Sequence, residues 1–144
     1  MKINKINKIL VSLDGSKNSL KGLDHAIYLA RQCQSTVTGL CVVPIYPPLA
    51  MPGLTSSSFR SKMTKDAKKF LDDAKTKAAQ NGIVFYGKII YGIPTEDVVD
   101  FSNKHKFDLV VIGHRGHGAI REMFLGSVAN STVHKSKVPV LVIK

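Results

Sequence analysis

Three glycines and a serine stand at a spacing that can do chemistry. Gly113, Gly116 and Gly126-Ser127 are set as Gly, two residues, Gly, nine residues, Gly-Ser, within GHRGHGAIREMFLGS at 113–127. The stretch follows an apolar run, and a helix pattern starts at its far end, near Ser127. Two readings are open: the glycines shape a plain turn, or their bare backbone touches something anionic. A residue without Cβ lets its N–H come close to a phosphate oxygen. A helix N-terminus adds unpaired N–H groups and partial positive charge. Ser127 offers a hydroxyl to a phosphate or a metal. The physical expectation is a loop that wraps a polyphosphate.

The neighbouring side chains are less specific. His114 and His117 stand three apart, but no further His, Cys or carboxylate follows at ligand spacing, so solvent-facing loop positions are expected. Arg115 and Arg121 are placed to steer an anion or simply to be solvated, and Glu122 is the loop's one carboxylate. Asp14-Gly15-Ser16 closes the first strand, and Asp14 there either bonds its own turn or meets a ligand. Two commoner phosphate motifs are absent: no GxxxxGK[ST] occurs, and no GxGxxG follows the first strand. His25 and His105 fall in helix patterns without a nameable partner. Cys33 and Cys41 form no CxxC, and Cys41 lies in an apolar run, as a buried free thiol does.

The elements that must position these residues alternate. Apolar runs at 8–13, 37–43, 83–91, 107–112 and 137–143 read as strands, the third interrupted by Gly87. Between them lie helix patterns. The first runs through Leu20, Leu23, Ala26, Ile27, Ala30 and Cys33, with Ser16 as its N-cap. The second places Phe59, Met63, Ala67, Phe70, Leu71, Ala74 and Ala78 on one face, as a core stripe, and ends at Asn81-Gly82. The third opens at Gly92-Ile-Pro94 with Thr95 as cap, and the fourth runs from Ser127 to about His134. Residues 44–58, rich in Pro, Gly and Ser, read as a long loop suited to a lid or partner contact. Continuous apolar strands alternating with amphipathic helices predict an α/β fold, an open parallel sheet covered on both faces. Ligands in such sheets bind beyond the carboxyl ends of the strands, where the strand order reverses. That is where the glycine loop falls.

Composition narrows the partners. At 144 residues, 44% hydrophobic and 22% charged, the chain suits one globular domain, 1–144. No apolar run reaches the ~18 residues of a membrane span. No apolar signal region opens MKINKINKILVSL, so a cytoplasmic location is expected. The net charge of +11 favours anionic partners, but much of it is local: seven basic against three acidic side chains in 60–77, and Lys2, Lys5 and Lys8 at the start. No nucleic-acid motif accompanies it, so a nucleic-acid role is disfavoured though allowed by charge. Phosphoryl transfer needs a placed nucleophile and stabilised charge. No Walker-type lysine or separate base is visible, so a binding module is favoured over a dedicated enzyme, and any hydrolysis should be slow. A slow ATPase or phosphotransferase, autophosphorylating at Ser127 or a nearby hydroxyl, is the enzymatic alternative. A basic nucleic-acid-associated protein is the other. The apolar last strand, if it lies at a sheet edge, is an unpaired template unless covered.

These features together resemble the universal stress protein family. Its ATP-binding members carry Gly-x2-Gly-x9-Gly followed by Ser or Thr, and the match here is complete at the fixed positions. ILVSLDGSKNSLKGLDHAIYLA resembles the family's first strand, turn and helix; YGIPTEDVVDFS its Gly-x-Pro helix start; FDLVVIGHRGHG and LGSVANSTVHKSKVPVLVIK its last two strands and the helix between. The departures are Ser12, where proline is common, and a histidine after each of the two early glycines. The resemblance implies a Rossmann-like, doubly wound five-stranded sheet of order 3-2-1-4-5 and a homodimer paired through the last strands. It implies ATP, or AMP or ADP, as ligand, with Mg2+ at the phosphates as an option, and a nucleotide-dependent role in stress response. By the same resemblance Ser12 flanks the adenosine, and Asp14 meets the ribose or helps order a metal. The main chain of Val42 and Val43 faces adenine, and Ile112 and Gly113 line the nucleoside pocket. Gly116 and His117 approach the phosphates, which Gly126, Ser127 and Val128 hold.

Overall fold

In a computed structural model of the chain, residues 4–46, 56–117 and 124–144 are described. Most of the 44–58 stretch, with Arg121 and Glu122, lies outside them. The elements alternate as expected: β1 (Lys8–Ser12), α1 (Lys17–Cys33), β2 (Thr36–Pro44), α2 (Ser56–Gln80), β3 (Phe85–Gly92), α3 (Pro94–Lys104), β4 (Leu109–Gly113), α4 (Ser127–Lys135) and β5 (Val140–Ile143). All four strand pairings are parallel, in the order β3-β2-β1-β4-β5. The chain therefore winds outward from β1 to β3, then crosses to β4 and β5 on the other side. The reversal falls between β1 and β4.

Strand periodicity sorts the core into two layers, because successive side chains leave a strand on opposite faces. Ile9 and Val11 of β1 and Val111 of β4 join Leu23, Ala26, Ile27 and Ala30 of α1 and Ala67, Leu71, Ala74 and Ala78 of α2 on one face. Leu10, Leu40 and Val110 join Val98 and Phe107 on the other, against α3 and α4. Ile9, Leu10, Val11, Val110 and Val111 are wholly buried. Such strands are apolar throughout because both faces are covered.

Helix ends follow local chemistry, with one correction. The Ser16 hydroxyl accepts from Ser19 N–H at 3.2 Å and caps α1. At the end of α2, Ile83 N–H donates to Ala78 O (2.9 Å) and Gly82 N–H to Ala79 O (3.0 Å), a Schellman pair with Gly82 at φ +71°. Thr95 is not the cap of α3. Ile93 holds that position, Pro94 begins the helix, and Asp97 Oδ2 reaches back to Ile93 N–H at 2.6 Å.

Several boundaries also shift. α2 takes up residues 56–58, which read as loop. β3 starts at Phe85, after the helix-ending turn, and runs unbroken through Gly87, which pairs with Gly39. β4 begins at Leu109 and β5 at Val140, where proline's missing N–H stops preceding the ladder: Pro139 contributes only its carbonyl, to Val110 N–H at 2.9 Å.

Candidate functional site

A cavity of about 850 Å3 opens at the carboxyl ends of the strands, astride the β1–β4 reversal. Of the residues singled out in sequence, Ser12, Asp14, Val42, Ile112, Gly113, Gly116, His117, Gly126, Ser127 and Val128 all line it. Val43 does not.

Backbone parity explains the difference between Val42 and Val43. In β2, even-numbered residues point their N–H and C=O toward β1: Thr36 N–H donates to Asn7 O (2.9 Å), and Leu40 O accepts from Leu13 N–H (2.8 Å). Odd-numbered residues point toward β3, as in Val37 N–H to Val84 O (3.0 Å). The β1 ladder ends at the Ser12–Leu40 pair, whereas the β3 ladder continues to Pro44–Gly92. β2 thus overshoots β1. The next groups on its β1 side, the N–H and C=O of Val42, emerge beside the cavity with no strand opposite. Those of Val43 turn to β3, and its side chain is wholly buried in the core.

The β1 turn is held from both sides. Asp14 Oδ1 accepts from Ser16 N–H at 2.9 Å, the local turn bond expected of an aspartate there. Its other oxygen, Oδ2, lies against Gly116, where any Cβ would collide with it. The Asp14 carbonyl accepts from His117 Nε2–H at 2.9 Å. A carbonyl only accepts, so His117 carries its proton on Nε2 whenever it is neutral. His117 is therefore tied to the Asp14 turn, not simply solvated.

The two arms of the glycine loop are tied to each other. His114 N–H donates to Ile143 O at 2.6 Å, and His114 O accepts from Gly126 N–H at 2.9 Å. This brings the start of α4 to the end of β4. Gly126 is the N-cap and provides no side-chain bond, and the first turn of α4 contains no acid. The first intrahelical donor is Asn130, to Gly126 O at 2.8 Å. The N–H groups of Ser127, Val128 and Ala129 precede it, and all three residues line the cavity.

Close packing requires glycine here. A Cβ on Gly113 would lie 2.8 Å from the Asn18 backbone, so Gly113 lets α1 press onto β4. Arg115 also lines the cavity, with a buried Nε–H that has no hydrogen-bond partner among the described residues.

The opposite wall escaped the sequence reading. Phe59, Met63 and Phe70 of α2 line the cavity, as do Pro44, Pro94, Val98, Phe124 and Leu125. The α2 stripe reads as core, and its spacing is the same whether the face meets side chains or a hollow. Cys41 is buried in this wall. Burial, and secondarily the Asp14 carboxylate, push its thiol up to about 12. Among the described residues no three His, Cys, Asp or Glu gather as a metal site, and no helix is long and apolar enough to cross a membrane.

Comparison with known proteins agrees with this architecture. The model of the universal stress protein family matches residues 5–144. A universal stress protein of Methanocaldococcus jannaschii, MJ0531, is 32% identical over 142 residues, covering 98% of this chain and 84% of that one. The structure of the universal stress protein UspA from Lactobacillus plantarum superposes with a TM-score of 0.87 at 25% identity, covering 99% of this chain and 100% of the other. A universal stress protein from Archaeoglobus fulgidus, solved in complex with dAMP, gives 0.72 at 24% identity, with 98% and 100% covered. The fold, the motif and the near full-length match converge: the chain belongs to the universal stress protein family.

Proposed function

We propose that the cavity binds an adenine nucleotide, ATP foremost, and that the protein acts as a nucleotide-dependent regulator. One observation carries this reading. The uncapped start of α4 and the unpaired backbone edge of Val42 open into a single cavity. The first suits a polyphosphate, and the second offers one donor and one acceptor to the edge of a base. The dAMP complex of the A. fulgidus relative supports an adenine ligand.

In this assignment Val42 reads adenine, and Ser12, Ile112 and Gly113 enclose the nucleoside. Asp14 Oδ2 takes the ribose hydroxyls. Gly116, His117, Gly126, Ser127 and Val128 surround the phosphates. Arg115 Nε–H gains a phosphate oxygen in place of its missing partner. Mg2+ would have to share Asp14 Oδ2 with the ribose and could take the Ser127 hydroxyl, so phosphate and water oxygens must supply its remaining positions.

Binding is favoured over turnover. Among the described cavity residues there is no lysine, and the one carboxylate, Asp14, has an oxygen engaged by Ser16 N–H. ATP then works by favouring one of two shapes or partners, which requires differential affinity for them. A homodimer belongs to the same proposal. β5 is an edge strand whose odd-numbered groups face β4, as in Ile143 O accepting from His114 N–H, so Val140 and Val142 present theirs outward.

The test is nucleotide content followed by titration. Nucleotide released from the purified, denatured protein is identified, and ATP is titrated against wild type and Gly126→Val. A Cβ on Gly126 would lie 3.2 Å from Arg115 Cα and 3.4 Å from His114 O, so valine forces the loop arms apart. ATP affinity is expected to fall at least tenfold while the circular dichroism is kept. Equal ATP affinity in both folded proteins, or none in either, would sink the assignment.

A further inference from the structure

The outer edge of the sheet at β3 has no assigned role. We infer that it is a docking edge for an extended acidic segment of another protein, which adds as a sixth strand beside β3.

The backbone supplies the first part. β3 is eight residues long and, among the described residues, pairs only with β2. Val84 O accepts from Val37 N–H and Gly92 O from Ile45 N–H, so the even-numbered groups of β3 face β2. The N–H and C=O groups of Phe85, Gly87, Ile89 and Tyr91 therefore face outward, with no strand beyond them. A row of this kind is a template for strand addition.

A groove supplies the second part. A separate hollow of about 320 Å3 lies between this edge and α2, lined by Lys68, Leu71, Asp72, Lys75, Phe85, Gly87 and Ile89. Its floor is apolar, and Gly87 puts no side chain in the way. On the opposite face of the strand, Tyr86 and Lys88 are exposed. An added strand would alternate in the same way, with apolar side chains on the groove face and the others beside Lys88.

Charge selects the occupant. Lys68 and Lys75 line the groove against one acid there, Asp72, and Lys88 stands exposed on the other face of β3, in a chain of net charge +11. Like charges brought together across a strand pair are destabilising, so a second β3 edge, bringing the same Lys68, Lys75 and Lys88, is disfavoured. The same lysines attract carboxylates. The edge is thus closed to copies of itself and open to an acidic strand.

The probe is a capped eight-residue peptide of alternating glutamate and valine, with a lysine–valine peptide, polyglutamate and a single-stranded oligonucleotide as comparators. Binding to the full chain is followed by amide hydrogen exchange. The expected result is slowed exchange at Phe85, Gly87, Ile89 and Tyr91, with little change at Tyr86, Lys88 and Ile90, whose N–H groups are already paired. Gly87→Pro removes one outward N–H without touching the β2 ladder and should weaken the peptide at least tenfold at unchanged thermal stability. Lys68→Glu with Lys88→Glu should do the same and transfer preference to the lysine–valine peptide. Three results would overturn the inference: no binding, equal binding of polyglutamate, or binding without the alternating protection. Tighter binding of the oligonucleotide at this edge would overturn it in favour of a nucleic-acid surface.

Discussion

The two halves of the sheet, divided at the β1–β4 reversal, are built to different lengths. On one side β2 and β3 have nine and eight residues and run past the end of β1. On the other, β4 and β5 have five and four and stop at the glycine loop. The long half raises a wall whose top carries unpaired backbone at Val42. The short half leaves room above β4, where the start of α4 is brought in through the His114–Gly126 bond. The lesson is that the cavity comes from unequal strand lengths. A longer β1 would pair Val42 and a longer β4 would take up the start of the loop, and either would remove one end of the site.

The edges differ in the same sense. β3 is flanked by Lys68 and Lys75 of α2 and carries Lys88, whereas β5 offers Val140, Leu141 and Val142, all half-buried. In the readings proposed above, the first edge disfavours its own kind and the second meets it.

The largest effect should come from placing the same side chain in each half. Gly113→Val brings a branched side chain against the Asn18 backbone, which cannot yield without moving α1. Overpacking of this kind costs about 1–3 kcal/mol, or more where backbone must shift. Gly87→Val meets Leu71 alone among the described residues nearest it, with Cβ at 3.5 Å and both Cδ atoms at 3.8 Å, ordinary contacts, and should stay within about 1 kcal/mol of wild type or exceed it. Urea unfolding of both variants checks this, and equal losses would break the comparison.

Next in size is assembly. Val140→Pro removes an outward N–H from β5 and should convert a dimer to monomer or aggregate in light scattering. Gly87→Pro at the other edge should leave the mass unchanged. A reversed pattern would exchange the roles of the two edges.

The smallest effect is a pH dependence on the long half. Cys41 is held at about 12 in the fold, from its usual value near 9, by burial and then by Asp14. The folded chain keeps the proton that the unfolded chain loses above pH 9. Its contribution to stability is therefore complete below pH 9 and disappears as pH rises toward 12. The stability difference between wild type and Cys41→Ala should shrink across that window in denaturant titrations at each pH. A constant difference would mean that the thiol is not sealed in the wall.

Much of this was legible beforehand. The order of elements follows from apolar runs too long and too uniform for one-sided strands, alternating with helix-period stripes. The Ser16 cap and the Asn81-Gly82 stop follow from side-chain chemistry that acts within a few residues. Thr95 did not, because Asp97 and Pro94 supply a start that leaves the cap position to Ile93. The sequence does not separate the main chains of Val42 and Val43, because whether each meets a neighbouring strand depends on which strand ends first.

What the residues alone determined is the α/β alternation, the parallel two-layer core and the glycine loop at a strand's carboxyl end, since each rests on local period or spacing. What only the tertiary structure decided is how far each strand runs beside its neighbour. That register exposes Val42, ties His117 to Asp14, turns the Phe59–Met63–Phe70 stripe into a cavity wall and leaves β3 open. The physical reason is that backbone pairing is satisfied between segments far apart in the chain. Which groups remain unpaired is therefore a property of the assembled sheet and of no segment within it.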